Sequence, residues 1–171
     1  MNDADFKEEK FTHSIENVIS GDSFPTEISL LVKNDLKQTT KKNGWSFNWE
    51  VEYKNSTKDV YKLTIVQNPT NIQGLISFSI EQDHVFMHLL ESAPFNVGKN
   101  KVYNGVPGNL VAYACKVSFL NGLDGYVGFT SKTKLITHYE KTLRAVHVGG
   151  QRMIIYPNDA LFLINKYFKK E

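Results

Sequence analysis

The sequence has little of what several architectures depend on. Its single cysteine, Cys115, allows no disulfide within the chain and no four-cysteine zinc site. Two of its 20 basic residues are arginines, Arg144 and Arg152. Guanidinium forks and a concentrated basic footprint are the usual means of gripping nucleic acid. Here the lysines are scattered among 18 acidic residues, for a net charge of +2. The pairs Lys41-Lys42 and Lys169-Lys170 read as solvated surface, and a nucleic-acid partner is not expected. No apolar run reaches the roughly 18 residues of a membrane span, so no membrane is expected either. The first ten residues, Met1 to Lys10, lack the basic start and apolar stretch of an export signal. A cytoplasmic protein is the resulting expectation. Five prolines and 11 glycines form no linker, and no internal repeat is visible.

What is present is ordinary globular material. Apolar residues make up 41% and aromatics 12% of 171 residues. A chain of this length buries roughly 70% of its unfolded surface without disulfides or metal. One domain over residues 1–171 is the simplest organisation. It has a strand-rich half (1–82), a second part (83–156) and a C-terminal helix (157–171).

In the first half, β-branched residues between Phe11 and Ile19 read as extended chain. Leu30 to Lys42 reads as an amphipathic helix, with Leu30, Leu31, Val32 and Leu36 among lysines, stopped by Asn43-Gly44. Trp45, Phe47, Trp49, Val51 and Tyr53 alternate with polar residues, which predicts a strand. Val60 to Val66 and Ile72 to Ile80 predict two more, with a turn at Asn68-Pro69-Thr70-Asn71. In the second half, His84 to Leu90 predicts a strand and Gly105 to Leu120 a loop entering a helix. Gly125 to Phe129 predicts a buried strand and Lys132 to Leu143 a helix. Ala145 to Tyr156 predicts strand broken at Gly149-Gly150, and Asn158 caps a last helix. This order predicts an α/β fold: a mixed, largely antiparallel sheet flanked by helices, with one parallel pair from a right-handed crossover.

The segment Tyr103-Asn104-Gly105-Val106-Pro107-Gly108-Asn109-Leu110 opens a helix with two glycines three residues apart. Backbone amides at such a helix start suit an anion. It is neither a Walker loop nor a full dinucleotide fingerprint. His84 and His88, four apart, would share a face of a strand or helix. Zinc needs three or four ligands, and no third residue has suitable spacing, so no metal is expected. Cys115 lies within an apolar helix and reads as a small buried hydrophobe. Arg152, after Gly149-Gly150, reads either as a surface ion-pair partner or as a contact for an anionic group.

Taken with Tyr139-Glu140-Lys141-Thr142-Leu143 downstream, this order resembles the GNAT superfamily of N-acetyltransferases, chiefly over residues 83–156. The departures are Tyr103 where the family carries Gln or Arg, Val106 for the first loop glycine, Pro107 within the cradle, and Lys132 for a frequent Asn. The resemblance implies acetyl-CoA as co-substrate. Its pantetheine arm would lie in a wedge where two parallel strands splay, bonded to the backbone of Leu90, Ser92 and Ala93. Its pyrophosphate would sit on Gly105, Val106, Gly108, Asn109 and Leu110, with Lys132 in reach of a phosphate. Tyr139 matches the family's proton-donating tyrosine. Glu91, at the strand end, is the candidate base, with His88 as the alternative. The function implied is acetyl transfer to a primary amine of a small molecule or protein, by direct attack. The other reading is the same fold as a non-catalytic binding or regulatory module. Exposed strand edges allow a homodimer.

Overall fold

The computed structural model describes residues 13–168. Met1 to Thr12, the start of the stretch from Phe11, and the Lys169-Lys170 pair lie outside it. Among the described residues, nine strands form one sheet: β1 Ser14–Asn17, β2 Ser23–Leu30, β3 Asp59–Ile65, β4 Asn68–Ile80, β5 Val85–Ser92, β6 Tyr103–Asn104, β7 Val127–Thr130, β8 Val146–Gly149 and β9 Arg152–Ile155. Their spatial order is β6-β1-β2-β3-β4-β5-β7-β9-β8. All neighbours are antiparallel except β5 and β7. Between that parallel pair runs the crossover helix α2, Val106–Leu120. The other helices are α1 Trp49–Lys54, α3 Ile136–Thr142 and α4 Pro157–Tyr167.

The two faces of the sheet are covered differently. On the inner face, α2 and α4 pack over Ile76, Phe78, Val85, Met87, Val127 and Ile155. α2 is buried on most sides, which is why its sequence is apolar nearly all round. On the outer face, Leu31, Trp45, Trp49, Val60, Ile72 and Leu75 form a second cluster over the N-terminal strands. On the outer face of β5, β7 and β9, Phe86, Tyr126 and Ile154 keep partial exposure.

Four expectations need correction. The segment from Leu30 to Lys42 is the end of β2 followed by two 3-10 turns, 33–37 and 41–43, not one amphipathic helix. Asp35 bends back to accept from the Val32 amide (2.9 Å) and pairs with Lys62 (2.7 Å), which closes the first turn tightly. Gln38 then fastens this stretch to β4 through Ile72 N (2.6 Å) and Thr70 O (2.8 Å). The alternating stretch Trp45 to Tyr53 is not a strand. Asn48 accepts from the Val51 amide (3.2 Å) and starts α1, and Trp45 and Trp49 are both buried in the outer cluster. The β3–β4 turn lies at Val66-Gln67, so Asn68-Pro69-Thr70-Asn71 is the irregular start of β4. Finally, Tyr156 rather than Asn158 is the N-cap of α4, because Pro157 takes the first helical position that its fixed φ favours.

Candidate active site

The parallel ladder between β5 and β7 is short. Its last register pair is Met87 with Phe129, after which β5 continues to Ser92 while β7 ends at Thr130. The gap opens a slot of about 290 Å³. One wall is Met87 to Leu90 and the other Phe129 to Lys132. Phe47 lies at the outer mouth, and Leu135 and Tyr139 at the inner one.

A β-bulge shapes the first wall. Ser77 pairs with Leu89 but Phe78 pairs with Met87, so His88 is extra in the ladder. Met87 and Leu90 pack on the inner core, and Leu89 packs in the outer cluster. The His88 ring also lies outside, 4.8 Å edge-on from Phe86. Farther along, Ala93 N donates to Gln73 O (2.9 Å). Backbone groups alternate in direction along a strand. Those of Leu90 and Ser92 therefore face the open side, away from β4, while the Ala93 amide is committed to β4.

His88 belongs to a chain of polar groups that the sequence did not reveal. Its Nε2 is 2.8 Å from Ser79 Oγ, and Ser79 Oγ donates to Glu81 Oε1 at 2.7 Å. Since the Ser79 proton goes to the carboxylate, Ser79 accepts from His88 Nε2–H. The lone pair of the ring is then on Nδ1. Burial, assisted by the nearby Lys58 charge, holds His88 below its ordinary 6.5, against the opposing pull of Glu52 and Glu81. The ring is therefore neutral near pH 7 and able to take a proton. The partners Ser79 and Glu81 belong to the neighbouring strand, so linear spacing gave no signal for them.

Tyr139 enters from α3 and stands edge-on to Phe129 at 5.4 Å. Burial pushes its phenol above the ordinary value, so it is protonated and fit to donate. Lys132 lies on the same slot, at the turn into 133–135. Tyr139, Lys132, Leu90 and His88 are thus brought together.

Glu91 is not with them. It faces outward and accepts from Ser46 N (2.6 Å), Phe47 N (3.2 Å) and Trp49 Nε1 (2.8 Å). Its carboxylate fastens the loop into α1 to β5, and through Phe47 it sets the outer mouth of the slot. The Gly105–Leu110 segment is also separate from the slot lining. Gly105 caps α2 with φ +98°, a left-handed conformation that favours glycine. Val106, Asn109 and Leu110 are buried in the inner core region. Asn109 ties α2 to β1 through Ser14 O (3.0 Å). Tyr167 of α4 stands directly over Gly108. Among the described residues, no group of three metal-ligating side chains occurs, and no helix is long and apolar enough to cross a membrane.

No family model and no curated protein sequence matches the chain. Solved structures do. A variant of the AtaT toxin, bound to the C-terminus of the antitoxin AtaR and acetyl-CoA, aligns over 81% of this chain and 98% of that one, with TM-score 0.58 and 14% identity. The fold is that of the GNAT N-acetyltransferases. A variant of spermidine N-acetyltransferase SpeG from Vibrio cholerae aligns over 80% of this chain and 96% of that one, with TM-score 0.58 and 17% identity. The KacTA–DNA complex aligns over 82% and 98%, with TM-score 0.55 and 11% identity. In GNAT terms, β5 and β7 are the splayed parallel pair and α2 the helix crossing between them.

Proposed function

We propose that the protein transfers an acetyl group from acetyl-CoA to a primary amine by direct attack within the β5–β7 slot. The observation that carries this reading is the slot itself. Tyr139, whose phenol is protonated, and His88, whose imidazole is neutral near pH 7, both line it, which supports a donor and a base there. Acetyl-CoA supplies the thioester acyl group. Leu90 and Ser92 offer backbone groups to the pantetheine amides, and Lys132 a cation to a phosphate. His88 Nδ1 takes a proton from the ammonium, freeing its lone pair for the carbonyl carbon. As the carbon–sulfur bond breaks, Tyr139 protonates the sulfur, and the second proton lost from the nitrogen returns to the Tyr139 oxygen. Ser79 and Glu81 hold His88 in the required tautomer. Glu91 has its oxygens committed and is assigned to positioning the Phe47 mouth, so His88 takes the role of base. The start of α2, residues 105–110, is offered to the pyrophosphate, with Lys132 as a cation beside it.

The non-catalytic reading is favoured by one observation, Tyr167 standing over Gly108. Calorimetric titration with acetyl-CoA decides between the two, followed by an amine-acetylation assay. Saturable binding and turnover are expected. Tyr139→Phe should keep the binding and lose on the order of a hundredfold or more in turnover. Binding without turnover on any amine would leave the module reading.

A further inference from the structure

On the outer face of β5, β7 and β9, beside the slot, lies a cavity of about 360 Å³. Its floor is a missing side chain. Phe86 pairs with Gly128, and Gly128 with Ile154, so the central strand contributes nothing at the middle of this face. Phe86, Ile154, Tyr126 and Tyr156 wall it, with the two tyrosines edge-on at 5.7 Å.

Two polar groups that line the cavity stand at opposite corners about Gly128. The first is His84, half-buried. The turn joining β4 to β5 is closed by Glu81 N, which donates to His84 O at 2.8 Å. Within that turn Asp83 Oδ1 comes 2.6 Å from His84 Nδ1. The contact holds the Asp83 carboxyl below its ordinary 3.8, so near pH 7 it is ionised and accepts only. Nδ1 therefore carries the hydrogen between them, and Nε2 is the ring position left open. The ring lays that edge over the floor: a Cβ on Gly128 would come 3.2 Å from His84 Cδ2 and 3.6 Å from Nε2.

The second group is Arg152. It pairs with Thr130, two residues after Gly128, whereas His84 lies two residues before Phe86. Arg152 has no ion pair among the described residues. The other arginine, Arg144, stacks on Phe162 at 3.5 Å and lies 3.8 Å from Asp159.

Each feature restricts the occupant. A floor without a side chain, between aromatic walls, admits a flat ring. A guanidinium with no protein partner, beside that apolar surface, suits a carboxylate, which it meets with two parallel hydrogen bonds. A hydroxyl both donates and accepts, so it matches His84 Nε2 in either protonation state. Polar groups at opposite corners place the two substituents on opposite sides of the ring.

We propose that this cavity binds an aromatic hydroxy acid. The ring lies over Gly128 against Phe86, Tyr126 and Tyr156, the carboxylate meets Arg152, and the hydroxyl meets His84. Such a ligand carries no amine and is not the acetyl acceptor. Its site shares only the Phe129 wall with the slot and does not rest on the transfer reading.

The experiment is calorimetric titration of the full chain with para-hydroxybenzoate, benzoate and para-hydroxybenzamide, without acetyl-CoA. The hydroxybenzoate should bind saturably, benzoate about fivefold more weakly, and the amide at least tenfold more weakly. Arg152→Gln, at an exposed site, should remove the preference for acid over amide. His84→Leu should remove the preference for hydroxybenzoate over benzoate. Gly128→Val should abolish binding of all three, with an unchanged far-UV spectrum confirming that each variant is folded. No saturable binding of the hydroxybenzoate, equal binding of acid and amide, equal binding of hydroxybenzoate and benzoate, or a preference that survives its variant overturns the proposal.

Discussion

The hydroxyphenyl ring of Tyr167 occupies the space into which a side chain on Gly108 would grow. The glycine is there because α4 crosses α2 at that point, and the backbone of Tyr167 and His13 closes the same corner: His13 N donates to Tyr167 O at 2.6 Å. Gly108→Ala should therefore cost about 1–3 kcal/mol of stability in urea unfolding. Tyr167→Ala should remove most of that extra cost, giving a coupling energy well above the error in a double-mutant cycle. An additive pair would mean that the contact does not explain the glycine. It follows that a bulky residue at 108 is a poor probe of cofactor binding, since it disturbs helix packing first.

Glu91→Gln keeps the size of the side chain but leaves one acceptor oxygen for three donors. The expected loss is about 1–3 kcal/mol, together with a red-shifted tryptophan emission as Trp49 loses its carboxylate partner. Unchanged stability and emission would dismiss the clamp and return Glu91 to consideration as a base.

His88 gives the protein a pH signature. Its folded value lies below the ordinary 6.5, chiefly through burial. The fold thus prefers the neutral ring, and this contribution is complete above that ordinary value. It is lost as pH falls through the lowered folded value. His88→Gln should flatten this part of the stability–pH curve. In the transfer assay the acidic limb, set by His88, should lie below 6.5 and the basic limb, set by Tyr139, above 10.0. An acetylation profile with a limb at an unperturbed imidazole would exclude His88 as drawn.

Cys115 is fully buried in α2, and burial pushes its thiol up to about 12. A thiol-specific reagent should leave it unmodified in the native protein and label it fully in denaturant. Rapid native labelling would mean that α2 opens readily from the sheet.

The second half of the fold was legible because its punctuation is local. Gly149-Gly150, the helix start at Gly105 and the short apolar run at Val127 each act on their own neighbours. The first half was not, because its elements are decided at a distance. Trp45 and Trp49 satisfy a strand period, yet they are buried together under a loop that Glu91 holds, 42 residues away from Trp49. The one local signal was Asn48, a helix cap. Leu30 to Lys42 failed similarly, since Lys62 and Ile72 fix its turns. For the site, Tyr139 was singled out by its motif and Lys132 by its place before that helix, and both line the slot. The Ser79–His88 pair and the empty centre at Gly128 exist only once strands are in register.

The bulge at His88 has a consequence for how the site and the scaffold depend on each other. Phe78 faces Met87 and Ser77 faces Leu89, so the ladder counts every residue of β5 except this one. His88 is supernumerary. Deleting it outright, rather than replacing it, should let β4 and β5 zip without interruption, with Leu89, Leu90 and Glu91 still on their present sides. The imidazole is an insertion that the sheet tolerates, and the inner core is built as though it were not there.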